Sequence, residues 1–114
     1  MKSKYVKLAV FVPETHTDIV RTALGEAGAG KIGSYSHCTF STKGVGRFLA
    51  LESANPSVGK RGKLETVTEE RIETVCLQSD VLKILGAVKR VHPYEAMAVD
   101  VYPLLNDPLG FDVK

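Results

Sequence analysis

The chain has 114 residues, of which 44% are hydrophobic and 25% charged, the composition of an ordinary globular domain with no biased tract. Its 15 basic and 13 acidic residues leave a net charge of +2, too small a surplus for the extended phosphate contacts of a nucleic-acid binder. No apolar run approaches the roughly 20 residues that cross a membrane, Cys38 and Cys76 lack a CxxC spacing, and residues 1–5 lead directly into a strand-like segment, so one cytoplasmic domain over 1–114 with free thiols is expected.

Residues 5–12 alternate Val6, Leu8, Val10 and Val12 with Tyr5, Lys7, Ala9 and Phe11, which predicts a strand with one apolar and one mixed face. Pro13 ends it. Thr15 and Asp18 have the spacing of a capping box, and Val20, Ala23, Leu24 and Ala27 recur with helical period, so a helix is expected over 15–27. Gly28, Gly30 and Gly33 then stop that helix, because glycine adopts the left-handed backbone of a helix C-terminus without steric cost. Over 32–51, Tyr35, Cys38, Phe40, Val45, Phe48 and Leu51 flank Lys43-Gly44, predicting two strands joined there by a tight turn. Residues 52–63 gather Pro56, Gly59 and Gly62 with Ser53, Asn55 and Ser57 into an exposed loop, the kind of segment that often carries function.

A long strand is expected over 64–77, with Glu69, Arg71 and Glu73 on one face and Thr68, Ile72 and Cys76 on the other. Ser79 or Asp80 can cap a second helix carrying the stripe Val81, Ile84, Leu85 and Val88, with Lys89 and Arg90 at its negative end and a stop near Val91 before Pro93. A last strand over 96–102 alternates Met97, Val99 and Val101 with Ala98, Asp100 and Tyr102. This order is that of an α+β, ferredoxin-like (split βαβ) sandwich with an inserted β-hairpin, its helices on one sheet face. The other face would carry Tyr5, Phe11 and Tyr102 beside Lys7 and Asp100, enough aromatic area to predict a covering subunit.

Several motifs could carry chemistry. Gly28-x-Gly30-x-x-Gly33 has dinucleotide-loop spacing, but it follows a helix where that chemistry needs a helix after the loop, so a structural turn is favoured. His92-Pro93-Tyr94-Glu95 concentrates an imidazole, a phenol and a carboxylate, and reads first as a rigid connector and second as a ligand contact. Glu69, Arg71 and Glu73 have the period of cross-strand ion pairs and could orient a polar ligand or a neighbouring subunit. His37 and Cys38 would point to opposite sides of a strand, which favours a packed thiol over a nucleophile. His16, His37 and His92 lack metal-ligand spacing, so no metal site, cofactor or catalytic residue is assigned.

Taken together, Val12-Pro13-Glu14-Thr15-His16, the run from Ala27 through Phe40, Ala54-Asn55-Pro56 with Gly59, Glu69 through Glu73, His92 through Glu95 and Asp100 through Leu104 resemble the inserted domain of Nif-three-like proteins of the YqfO type. The match runs in order along nearly the whole chain. It implies a fold similar to CutA and the PII signalling proteins, which are trimers, with the hairpin and loop from Lys43 to Lys63 as the adjustable element. In longer members the flanking halves carry a two-metal site and a cyclohydrolase label. The resemblance gives this chain no residues onto which that site maps. Arg47, Leu49 and Ala50, and Ala96, Met97 and Val99, depart from the pattern.

The reading is therefore a non-enzymatic homo-oligomer, with a trimer favoured, that binds a small ligand or protein partner at subunit clefts through Tyr35, His37, Glu69, Arg71, Glu73, His92, Tyr94 and Glu95. The rivals are a small metal-dependent hydrolase using His37, His92 and Glu95, and an accessory domain docking on a separate partner.

Overall fold

The computed structural model describes residues 4–108, so the two ends of the 1–114 domain lie outside the described residues. Four strands and two helices follow in the order β1 (Tyr5–Pro13), α1 (Thr17–Glu26), β2 (Phe40–Leu49), β3 (Leu64–Leu77), α2 (Val81–Val91) and β4 (Val99–Pro103). Short 3₁₀ turns, Glu14–His16 and Gln78–Asp80, lead into the helices. The sheet order is β2-β3-β1-β4 with every pairing antiparallel, which is the split βαβ arrangement of an α+β ferredoxin-like fold.

One sheet face is the core. Val6, Leu8, Val10 and Val12 of β1 and Ile72 and Cys76 of β3 are buried against Val20 and Leu24 of α1 and Ile84 and Val88 of α2. Each fully buried Leu or Ile contributes roughly 1.5–3 kcal/mol. Both helices begin without a side-chain cap: Thr15 Oγ1 bonds the adjacent His16 Nδ1 at 2.8 Å, Asp18 pairs with Arg21, and Asp80 caps nothing. The expected capping box is therefore absent, and buried apolar stripes hold the helices instead.

The expected turn at Lys43-Gly44 is also displaced. These residues lie inside β2, opposite Glu70 and Glu69, and the hairpin closes instead through residues 50–63 between β2 and β3. Gly59 and Gly62 in that loop have φ of +77° and +79°, the left-handed backbone that a turn demands. The last strand starts at Val99, later than the expected position 96, because 92–98 is taken up by the connector from α2.

Pairing of β1 to β3 ends at Pro13 opposite Glu69, whereas β2 and β3 stay paired to Leu49 opposite Leu64. Beyond Pro13 the sheet thins to a two-stranded arm. A strand of 14 residues reaches about 46 Å at 3.3 Å per residue, which accounts for the 48 Å long axis against 28 and 23 Å. No helix among the described residues is long and apolar enough to cross a membrane.

Candidate functional site

The connector after α2 is where chemistry-bearing side chains meet. Pro93 cannot extend the helix, so His92 takes an extended backbone (φ −77°, ψ 132°) while its N–H still bonds the Val88 carbonyl at 2.9 Å. This turns the imidazole inward, where His92 is buried. Nε2–H donates to the Phe11 carbonyl at 2.8 Å, and Nδ1 accepts the Tyr94 N–H at 3.2 Å. Both contacts are made only by the neutral ring. Burial lowers the His92 pKa from its ordinary 6.5, partly opposed by the Phe11 carbonyl and reinforced by Lys89.

Tyr94 carries the connection onward. Its hydroxyl donates to Glu69 Oε2 at 2.8 Å, and its ring meets Phe48 edge to face at a centroid distance of 6.0 Å. Burial, followed by the bond to Glu69 and that residue's charge, pushes the phenol well above its usual pKa. Glu95 Oε1 accepts the Asn55 N–H at 3.1 Å, and Lys89 Nζ donates to the carbonyls of Tyr94 (3.1 Å) and Glu95. The 92–95 segment thus ties α2, β1, the arm and the 50–63 loop to one another.

Glu69 reaches Tyr94 because the residue it must pass is Gly46. A Cβ at Gly46 would overlap the Glu69 carboxylate. The expected ladder is divided by this: Glu69 turns to the phenol, while Glu73 takes both cations, Lys7 Nζ at 3.4 Å and Arg71 Nε at 3.1 Å. The Arg71 guanidinium lies over the rings of Phe11 (5.6 Å) and Tyr102 (6.0 Å). Arg71 and Glu73 therefore belong to the open sheet face, and Glu69 joins that face to the connector.

Tyr35 and His37 lie elsewhere. Gly28, Gly30 and Gly33 all have positive φ, and the Gly30 N–H bonds Val75 while its carbonyl accepts the Cys38 N–H, which pins this loop to the far end of β3. Thr74 Oγ1 donates to the Cys38 carbonyl there, five positions along the strand from Glu69, or about 17 Å. His37 is not in a strand: it has φ +60°, its ring rests against Gly25 of α1, and Nδ1 lies 2.9 Å from the Ser36 hydroxyl. Tyr35 is 75% exposed. The eight expected site residues thus form a connector group, a sheet-face group and a distant loop group. His37, His92 and Glu95 do not converge as the hydrolase reading requires.

Cys38 and Cys76 are free thiols, Cys76 buried and Cys38 half-buried. Burial, with the charge of Asp80, pushes the Cys76 thiol up to about 11, which holds it in its unreactive form. Among the described residues no group of three His, Cys, Asp or Glu is placed to hold a metal ion.

A cavity of about 150 Å³ lies between the 50–63 loop and the connector, lined by Phe48 and Ala50, by the loop residues 54 and 56–58, and by 94–96. Reading residue types missed Phe48 and Gly46, since a half-buried ring and a glycine acquire their roles only when the arm folds over the connector.

No protein-family model matches the chain. It is 54% identical over 101 residues to a GTP cyclohydrolase 1 type 2 homolog of Halalkalibacterium halodurans, and 49% identical over 102 residues to the one of Bacillus subtilis, covering 89% and 90% of this chain. A Bacillus cereus protein related to NIF3 superposes with a TM-score of 0.79 at 49% identity, covering 93% of this chain. In sequence it is similar to one segment of NIF3-related proteins. The chain spans only 27% of the length of each of these three relatives. In fold it is CutA-like and PII-like: CutA from Archaeoglobus fulgidus gives a TM-score of 0.66 at 15% identity, covering 90% of this chain and 86% of that one. GlnK from B. subtilis gives 0.56 at 18%, covering 92% and 89%.

Proposed function

We propose that this NIF3-like segment acts as a non-enzymatic, homo-oligomeric module of the CutA and PII type, three copies to the assembly, binding a small ligand or a protein partner at its clefts. The observation that carries this reading is the uncovered sheet face. Arg71 lies over two aromatic rings, Glu73 bridges it to Lys7, and Phe40 and Tyr102 remain 68% and 42% exposed beside them. Exposed aromatic rings around an arginine are residue types enriched at interfaces, and their exposure on one face supports a covering partner. On the arm, Val45, Leu49 and Leu64, about half exposed or more, add a second surface that a neighbouring copy would cover. A reducing, cytoplasmic location is in keeping with the two free thiols.

The hydrolase reading draws no support from the site. Its histidine is held neutral with both nitrogens occupied, and its nearby phenol is held protonated.

Light scattering and thermal unfolding of wild type and Arg71→Ala test the proposal. The wild type should give three times the chain mass, and the variant should dissociate or unfold at lower temperature. A wild type of single-chain mass, or a variant unchanged in both mass and unfolding, would overturn it.

A further inference from the structure

The cavity beside the connector has a lining specific enough to name a ligand class. Along the 50–63 loop burial alternates: Ala54, Pro56 and Val58 are half-buried, while Ser53, Asn55, Ser57 and Gly59 face solvent. The apolar members turn onto the paired rings of Phe48 and Tyr94, with Ala96 on the same wall and the exposed Ser57 at the rim. The space, about 150 Å³, is an open groove with room for one small ring against Phe48 and Tyr94. Its walls are fixed by separate bonds, Asn55 N–H to Glu95, Tyr94 hydroxyl to Glu69, and Lys89 to two connector carbonyls, so the shape does not rest on one soft contact.

Glu95 is the charged residue in this lining. Its Oε1 accepts the Asn55 N–H, and among the described residues its other oxygen accepts no hydrogen bond. A carboxylate with a free oxygen at the mouth of an apolar pocket favours a cationic donor.

We propose that this pocket binds a small primary amine, its ring or branched alkyl group against Phe48 and Tyr94 and its ammonium on Glu95. The inference deepens the ligand half of the reading above. It does not need the assembly, because every lining residue belongs to one chain.

The probes are benzylamine and its neutral counterpart benzyl alcohol, titrated into the full chain and followed by backbone amide NMR. Saturable shifts at Val58, Tyr94 and Ala96 are expected, with benzylamine about tenfold tighter than the alcohol. Glu95→Gln retains an acceptor for Asn55 and should remove that preference. Ala96→Leu fills the cavity and should abolish binding of both, its folding checked by thermal unfolding. Shifts that fail to saturate, an alcohol as tight as the amine, or benzylamine binding unchanged in either variant would overturn the proposal. Light scattering on the same samples separates the two readings: a trimer that ignores benzylamine defeats this inference alone, and a monomer that binds it defeats the assembly alone.

Discussion

His92 shows how a titratable residue becomes a structural one. With Nε2 donating to Phe11 and Nδ1 accepting from Tyr94, adding a proton to Nδ1 would set two donors against each other. Desolvation lowers the pKa first, the Phe11 carbonyl raises it, Lys89 lowers it, Glu69 raises it and His16 lowers it, with a net fall below 6.5. The sign of the pH dependence follows. As pH drops below 6.5 the unfolded chain takes up the proton before the folded chain does, so this residue's contribution is full above 6.5 and is lost on acidification toward its folded pKa. Urea unfolding between pH 7.5 and pH 5 should therefore show a steeper loss of stability in wild type than in His92→Gln. Parallel curves would show that the imidazole is not held neutral. Tyr94→Phe should cost about 1.5–3 kcal/mol at pH 7, the worth of one hydrogen bond to a carboxylate.

At the level of elements, the arm and the connector depend on Gly46. Its missing side chain lets Glu69 cross to Tyr94, so Gly46→Ala should displace the carboxylate and loosen both the Tyr94 contact and the loop tethered beside it. Hydrogen exchange should quicken in 50–63 and 92–98 while β1 and the helices keep their protection. An unchanged loop would show that the Asn55–Glu95 bond holds it alone. Much of the element order was legible because burial periods are strong: β3 alternates on either side of 69–71, and the stripes Val20–Leu24 and Ile84–Val88 mark the core faces of both helices. The turn at Lys43-Gly44 was misplaced because local turn chemistry competes with a register set across the sheet. Gly44 pairs with Glu69 inside the ladder, and the left-handed glycines come later, at 59 and 62. The site was legible only in part for a similar reason. His92, Tyr94 and Glu95 are adjacent in sequence, but their partners Phe11, Glu69, Phe48 and Asn55 come from four other segments, and spacing carries no trace of that meeting.

For the molecule as a whole, one question is what stabilises so much uncovered surface. The helices shield a single sheet face, and the arm extends past Pro13 with neither face backed by a helix. A two-stranded ribbon is marginal alone in water, and the exposed Phe40, Leu49, Leu64 and Tyr102 gain nothing from the chain's own core. If copies of the chain supply the missing cover, folding is coupled to association and mass action must appear in the unfolding temperature. A tenfold rise in protein concentration should then raise the unfolding midpoint by about 2–6 °C, given that 1 kcal/mol moves a domain of this size by several degrees. Phe40→Asp places a charge on the exposed sheet face outside the buried core, so it should abolish that dependence and leave the helical signal intact. A midpoint constant over a hundredfold range in the wild type would mean that the 14-residue strand and its partner are stable unaided, and the uncovered face would then have to be explained by a partner other than a second copy.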